Sequence, residues 1–344
     1  MKTQYANAVT QYENGTSLGG RIIKEGGLVV FPTETVYGLG ANGLDSEAVL
    51  RIFAAKGRPA DNPLILHIAK KSELKPLWSH VPDNARILAD TFWPGPLTMI
   101  FNRSSIVPDE VTAGLDTVAV RMPLNKTARA LINAAGVPIA APSANLSGKP
   151  SPTTAEHVRQ DMDGRVDLII DGGPCKYGLE STVVSLIGRP TILRPGAVTK
   201  EMLEAVIGPV DVAHAVLSPL REGETAASPG MKYRHYAPDA EVVVAEGRER
   251  EIAAKICREY DAREAAGEDC IIFATKQTQP FCRGRNCVII GDRTEPATLC
   301  ASLFYSLREY GDRADVIFAE ALPNDDMGLA YMNRLLRSAG FNII

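Results

Sequence analysis

The 344-residue sequence predicts an α/β protein organised in two units. Three observations lead there. Short apolar runs alternate with segments of helical spacing along most of the chain, the pattern of strands buried on both faces between helices. The length exceeds one typical domain and suits two. Residues 209–239 are rich in Pro, Ser, Gly and Ala without periodicity and read as a linker between 1–208 and 240–344.

Each element has its own signal. Residues 28–31 form an apolar run after Gly26-Gly27 and predict a strand. Asp45-Ser46 supply N-cap oxygens, and Ala48, Val49, Ile52 and Phe53 recur at helical spacing. Gly57 and Pro59 stop that helix. Residues 64–68 predict the next strand, with His67 inside it. A helix over 82–92 leads through the sharp turn Trp93-Pro94-Gly95-Pro96 into a strand over 97–101. A strand over 118–122 carries Arg121, and a helix over 125–135 leads into a strand over 137–141. A short helix near 154–160 and strands at 168–170, 182–186 and 191–193 follow. In the second unit, strands at 242–245, 271–274, 288–290 and 316–319 alternate with helices near 248–266, 296–310 and 328–338. That pattern predicts a small α/β unit with a mainly parallel sheet.

Charge and composition narrow the function classes. The net charge of −4 gives no general drive toward nucleic acid. Residues 1–208 hold 21 Lys and Arg against 20 Asp and Glu, and residues 240–344 hold 13 against 17. An RNA-binding module of tRNA or ribosome maturation is the alternative reading, and this balance argues that direct RNA binding is weak or absent. No apolar run reaches the roughly 18 residues that span a bilayer, and the polar N-terminus lacks a signal-peptide core, so no membrane partner and a cytoplasmic location are expected. The six cysteines are 175, 257, 270, 282, 287 and 300. Cys282 and Cys287 flank Arg283-Gly284-Arg285 and raise a metal or disulfide question. No second Cys or His pair stands at zinc spacing, so no metal site is assigned and free thiols are expected.

Several chemistries fail on their motifs. Gly38-Leu39-Gly40-Ala41-Asn42-Gly43 has G-x-G-x-x-G spacing after a strand. No helix opens at its third glycine, and the next strand ends in Ala69-Lys70-Lys71 rather than an acid. A structural turn is expected there instead of a dinucleotide site. There is no P-loop motif, and the one G-x-S-x-G match, Gly15-Thr16-Ser17-Leu18-Gly19, has no predicted strand leading into it and is not read as a nucleophile elbow. His67 has no carboxylate beside it in sequence and reads by itself as a satisfied strand histidine.

Two loops carry chemistry. Lys56-Gly57-Arg58-Pro59-Ala60-Asp61-Asn62-Pro63 places two cations within three residues, where Gly and Pro keep the chain from continuing as a helix. Ala141-Pro142-Ser143-Ala144-Asn145-Leu146-Ser147-Gly148 sets hydroxyls and an amide in a loop just after an apolar strand. Together they suit a small planar anion: Lys is a compact point charge, and Arg a fork that grips carboxylate or phosphate twice. Ser228-Pro229-Gly230-Met231-Lys232-Tyr233-Arg234-His235-Tyr236-Ala237-Pro238 is denser in aromatic and polar groups than a spacer needs, and is expected to dock on something.

These loops belong to an ordered set. Pro32-Thr33-Glu34-Thr35-Val36-Tyr37-Gly38-Leu39, Lys56-Gly57-Arg58-Pro59, Asn62-Pro63-Leu64, Trp93-Pro94-Gly95-Pro96-Leu97-Thr98, Val120-Arg121-Met122-Pro123, Pro142-Ser143-Ala144-Asn145-Leu146-Ser147-Gly148 and Ser181-Thr182-Val183 follow one another along the chain. Taken together, the set resembles the YrdC-like L-threonylcarbamoyladenylate synthases in their long two-domain form. The resemblance covers nearly the whole chain, with no departure at the motif positions. It implies a YrdC-like catalytic domain with a twisted, open, mixed sheet flanked by helices, a linker or lid segment, and a smaller C-terminal α/β domain with a Rossmann-like sheet. It implies that L-threonine, bicarbonate and ATP give threonylcarbamoyl-AMP and pyrophosphate, with Mg2+ accompanying ATP and no organic cofactor. Separate threonylcarbamoyl-transfer machinery then modifies tRNA at position 37.

Carried over residue by residue, the resemblance implies Lys56, Arg58, Ser143 and Asn145 as catalytic groups. It places Thr35, His67, Arg121, Ala141 and Ser181 around L-threonine, with Arg121 facing its carboxylate. Arg58, Asn62, Thr117, Ser143, Ser151, Arg194, His235 and Tyr236 become ATP contacts, the last two as a lid. The carbamoyl-transfer proteins of hydrogenase maturation contain a similar domain, but they carry zinc-binding cysteine motifs and an acylphosphatase-like domain. This sequence has neither.

Overall fold

The computed structural model describes residues 2–8, 12–218 and 235–344. Residues 219–234, which include most of the aromatic linker motif, lie outside the described residues. The chain divides into two compact units, one made of Met1–Ser147 and Ser151–Lys232, the other of Gly148–Pro150 and Tyr233–Ile344.

The first unit is built on a mixed sheet of eleven strands: β1 (Gln4–Asn7), β2 (Val29–Phe31), β3 (Gly38–Asn42), β4 (Ile65–His67), β5 (Leu97–Asn102), β6 (Thr117–Arg121), β7 (Ile139–Ala140), β8 (Leu168–Asp171), β9 (Thr182–Ser185), β10 (Thr191–Arg194) and β11 (Asp211–Val212). Their order across the sheet is β1-β8-β2-β3-β7-β4-β6-β5-β9-β10-β11. Helices α1 (Tyr12–Lys24), α2 (Ser46–Lys56), α3 (Asp83–Phe92), α4 (Asp109–Thr112), α5 (Lys126–Ala135), α6 (Ala155–Met162) and α7 (Lys200–Ile207) join them. The apolar runs at 28–31, 64–68, 97–101 and 118–122 became buried strands, as their lack of alternation implied. The 137–141 run contributes only Ile139–Ala140 to the ladder. Strand β11 pairs with β10, so the first residues after Gly208 are part of this sheet.

Three features depart from pattern reading. The glycine motif at 38–43 is strand β3, not a turn. A Cβ on Gly40 would lie 2.7 Å from Ile139 Cγ2 and 2.8 Å from Phe31 Cε1, so these glycines let neighbouring side chains cross the strand. Helix α1 has no strong sequence signal because it contains Gly15, Gly19 and Gly20. Those glycines permit close approach of α5: a Cβ on Gly20 would lie 2.5 Å from Ala134 Cβ. Strand β1 is mostly exposed, and pairing with β8 rather than burial defines it.

The second unit holds a four-stranded sheet of β12 (Glu241–Ala245), β13 (Cys270–Thr275), β14 (Cys287–Gly291) and β15 (Val316–Glu320), ordered β12-β15-β13-β14 and parallel throughout. Helices α8 (Glu249–Ala265), α9 (Pro296–Tyr310) and α10 (Asp326–Ser338) cover it, and Ile252, Ile256, Ile272 and Phe318 share one apolar cluster. Among the described residues no helix is long and apolar enough to cross a membrane.

Candidate active site

The first unit gathers its polar residues in a row across adjacent strands. β4 runs parallel to β6 with His67 opposite Arg121, and β5 runs antiparallel to β6 with Thr98 opposite Arg121. These three side chains therefore stand at one level on neighbouring strands. The loop between β2 and β3 brings Glu34 and Thr35 to the same place. Arg121 Nη2 donates to Glu34 Oε1 at 2.6 Å, Nη1 to Thr35 Oγ1 at 2.9 Å, and Nε to the Gly95 carbonyl at 3.3 Å. Both members of the Arg121–Glu34 pair are almost wholly buried. Burial alone would push the Glu34 carboxyl up. The Arg121 guanidinium and backbone donors outweigh it and hold the group below its ordinary value. Burial, reinforced by the Arg121 charge, pushes His67 down to about 3, so its imidazole is neutral at physiological pH. Its Nδ1 lies 3.1 Å from the Ile65 carbonyl.

The row continues onto β9. Thr98 Oγ1 and Ser181 Oγ are 2.7 Å apart, and Arg194 from β10 donates through Nε to the Ser181 carbonyl (3.0 Å) and through Nη2 to Ser181 Oγ (3.2 Å). Next to Ser181, Glu180 accepts from Ser151 Oγ at 2.6 Å.

The two loops form a second cluster. Asp45 caps α2 by accepting from the Glu47 and Ala48 amides, and Gly57 ends the helix with φ +61°. Those two caps set Lys56 at the last helical position. Its side chain is 3% exposed, and Nζ donates to the Ser143 carbonyl and, at 2.6 Å, to the Asn145 carbonyl. The Ser147 amide donates back to the Lys56 carbonyl at 3.0 Å. Ser143 Oγ donates to Asn145 Oδ1 at 2.5 Å, and the Asn145 amide group donates to the Leu146 carbonyl at 2.8 Å. Ser143 also bridges to Gly38, extending β3 into the loop. Arg58 donates to the Asn62 carbonyl at 2.7 Å and lies over the Phe53 ring. The Asn62 side chain is fully buried, and neither end of its amide has a hydrogen-bond partner among the described residues. A buried amide in that state is costly unless something outside the chain meets it.

The structure therefore joins Thr35 to Arg121, Ser181 to Arg194, Lys56 to Ser143 and Asn145, and Arg58 to Asn62. Ala141 donates its amide to the Ile65 carbonyl (2.9 Å), between the two clusters. Thr117 opens β6, four residues and about 13 Å before Arg121. His235 and Tyr236 belong to the second unit, where the Tyr236 ring packs on Phe304 at 4.9 Å between centroids. Three residues were not singled out by sequence: Glu34, Thr98 and Glu180. Each stands inside or directly beside a motif, and a polar side chain at such a position was the available signal.

The profile of the Sua5–YciO–YrdC family, described as telomere recombination, matches residues 21–196. A second profile, described as the threonylcarbamoyl-AMP synthase C-terminal domain, matches residues 198–340. The threonylcarbamoyl-AMP synthase of Pyrococcus abyssi (strain GE5 / Orsay) is 48% identical over 94% of this chain and 93% of its own length. That of Bacillus subtilis (strain 168) is 46% identical over 94% and 92%. A crystal structure of P. abyssi Sua5 complexed with L-threonine superimposes with TM-score 0.92 at 44% identity, covering 100% of this chain and 99% of that one.

Proposed function

The chain belongs to the threonylcarbamoyl-AMP synthase family, and on that premise we propose how its first unit carries the reaction. The activity is that of an L-threonylcarbamoyladenylate synthase, an ATP-using nucleotidyl-transferring enzyme. The threonine amine captures bicarbonate as a carbamate, releasing water. A carbamate oxygen attacks the α-phosphorus of ATP, and pyrophosphate leaves. Every participant is anionic or zwitterionic, so catalysis rests on positioning and on fixed positive charge.

The buried row of His67, Arg121 and Thr98, continued by Ser181 and Arg194, supports a threonine subsite most strongly. Three of the five guanidinium N–H groups of Arg121 go to protein acceptors. Two more can grip the threonine carboxylate. The Glu34 carboxylate fixes the fork and balances its charge, so the empty subsite does not hold a lone buried cation. Thr35, neutral His67, Ser181 and the backbone at Ala141 complete the surround. Lys56, Arg58, Ser143 and Asn145 form the junction where carbamate meets the α-phosphate. Asn62, Thr117, Ser151 and Arg194 contact ATP, the Asn62 amide supplying a donor and an acceptor to a polar ligand.

Mg2+ bound with ATP would neutralise phosphate charge, and the hard oxygens of Ser143, Ser151 and Glu180 would suit it. His235 and Tyr236 act as the lid over the nucleotide. The adenylate passes in the cytoplasm to the transfer machinery that modifies tRNA position 37. Mass spectrometry of products after incubation with ATP, L-threonine and bicarbonate, each omitted in turn, tests the reading. The adenylate should require all three. An adenylate formed without bicarbonate, or pyrophosphate release independent of threonine, overturns it.

A further inference from the structure

Three cysteines of the second unit meet in space. Cys257 sits on α8, Cys282 follows the 3-10 turn Gln279–Phe281, and Cys287 opens β14. All three pack into the cluster of Ile252, Ile256, Ile272 and Phe318, and each is a free thiol. Cys257 Sγ donates to the Phe281 carbonyl at 3.6 Å. Cys282 is a buried member of that cluster, and the part-buried Cys257 and Cys287 pack against it.

The loop between the last two is already closed by other bonds. Arg285 donates through Nε and Nη2 to the two carboxylate oxygens of Asp261 on α8, each at 2.6 Å. The Arg285 amide reaches back to the Cys282 carbonyl at 3.3 Å. The Asn286 amide donates to Tyr260 Oη at 3.1 Å. Gly284 takes φ +83°, which a side chain would resist. The loop that carries both thiols is thus held closed by its own anchors, so a covalent bond between Cys282 and Cys287 orders little that is not ordered already.

We propose that Cys282 and Cys287 are a reversible dithiol–disulfide couple, a modification site on the second unit oxidised by a low-molecular-weight disulfide. The half-buried Cys287 attacks as thiolate, breaking the sulfur–sulfur bond of glutathione disulfide and expelling one glutathione thiolate. Cys282 then gives up its proton and attacks the Cys287 sulfur of the mixed disulfide, expelling the second glutathione. Two protein thiols and one glutathione disulfide become one protein disulfide and two glutathiones. The order follows exposure: Cys287 is half-buried and open to a small disulfide, whereas Cys282 is buried. The neighbouring Cys282 holds the Cys287 thiol below its ordinary value, while Cys287 and burial push Cys282 up. Cys257 stays outside the exchange.

The test uses the full reduced chain, exposed to glutathione disulfide, alkylated, and digested with trypsin without reductant. Cleavage after Lys276, Arg283, Arg285 and Arg293 puts Cys282 and Cys287 in separate peptides. The expected product joins peptide 277–283 to peptide 286–293 at two hydrogens below their summed mass. It should become the major form of both peptides, be reversed by reduced glutathione, persist in Cys257→Ser and be lost in Cys287→Ser. The wild-type and Cys257→Ser patterns decide the matter even if Cys287→Ser does not fold. A lasting glutathione adduct on Cys287 without the cross-link, a link to the Cys257 peptide instead, or full alkylation of both cysteines after exposure overturns the proposal.

Discussion

Replacing Glu34 by Gln isolates the buried pair at the centre of the threonine subsite. The substitution keeps the side-chain shape and leaves an acceptor for Arg121 Nη2, but removes the charge that balances a guanidinium only 4% exposed. Breaking a buried ion pair from one side costs about 3–5 kcal/mol. The retained hydrogen bond puts Glu34→Gln at the lower end, about 3 kcal/mol. At roughly 2–4 °C per kcal/mol for a domain of this size, that lowers the thermal midpoint by about 6–12 °C at pH 7.

Both tryptophans, Trp78 and Trp93, are buried in the first unit, so fluorescence reports on that unit alone. The sign of the pH dependence gives a second handle. The Glu34 carboxyl is held below its ordinary value, so its contribution is full above the unfolded value of about 4.3 and is lost as pH falls through the folded value. The difference between wild type and Glu34→Gln should therefore shrink below about pH 4. Equal midpoints at pH 7, or a difference of constant size down to pH 3, would refute the argument.

Other predictions follow from single contacts. Lys56→Met should cut threonine- and bicarbonate-dependent pyrophosphate release by about 100-fold or more, by analogy with losing one preorganised donor. It also strands the Ser143 and Asn145 carbonyls, at about 1–3 kcal/mol each, and wild-type turnover in a folded variant would remove Lys56 from the junction. Asn62→Leu should leave the thermal midpoint equal or higher, because an unmet buried amide is lost, yet raise KM for ATP about 10-fold, the effect of one lost polar contact of about 1.4 kcal/mol. An unchanged KM would make Asn62 purely structural. His67 should show no NMR titration between pH 5 and 8, since burial holds it near 3. Its folded value lies below the unfolded one of about 6.5, so unfolding takes up a proton in between and stability is lost as pH falls through that window. His67→Asn should flatten that fall, and an imidazole titrating near 6.5 in the native chain would contradict the burial argument.

Much of the site was legible because its residues sit in short ordered motifs. Lys56, Arg58, Ser143 and Asn145 were read from two loops, and the structure ties Lys56 to both Ser143 and Asn145. Glu34 was not read, because an acid beside Thr35 becomes the partner of Arg121 only when β2, β4 and β6 enter one sheet. The same holds for Thr98, whose partner Ser181 is far away in sequence and 2.7 Å away in space. Helix α1 escaped because its glycines lower local propensity, and their value lies in contact with α5.

Sequence by itself determined the α/β class, the strands whose unbroken apolar runs demand burial on both faces, the helix ends set by Asp45 and Gly57, and the residue types gathered for an anionic reaction. Local pattern suffices for these because propensity, capping and periodicity act within a few residues. Tertiary structure alone decided the strand order and the partner of each buried charge. Register across β4, β6 and β5 sets His67, Arg121 and Thr98 at one level, and a pairing between strands distant in sequence leaves no trace in either strand's own pattern.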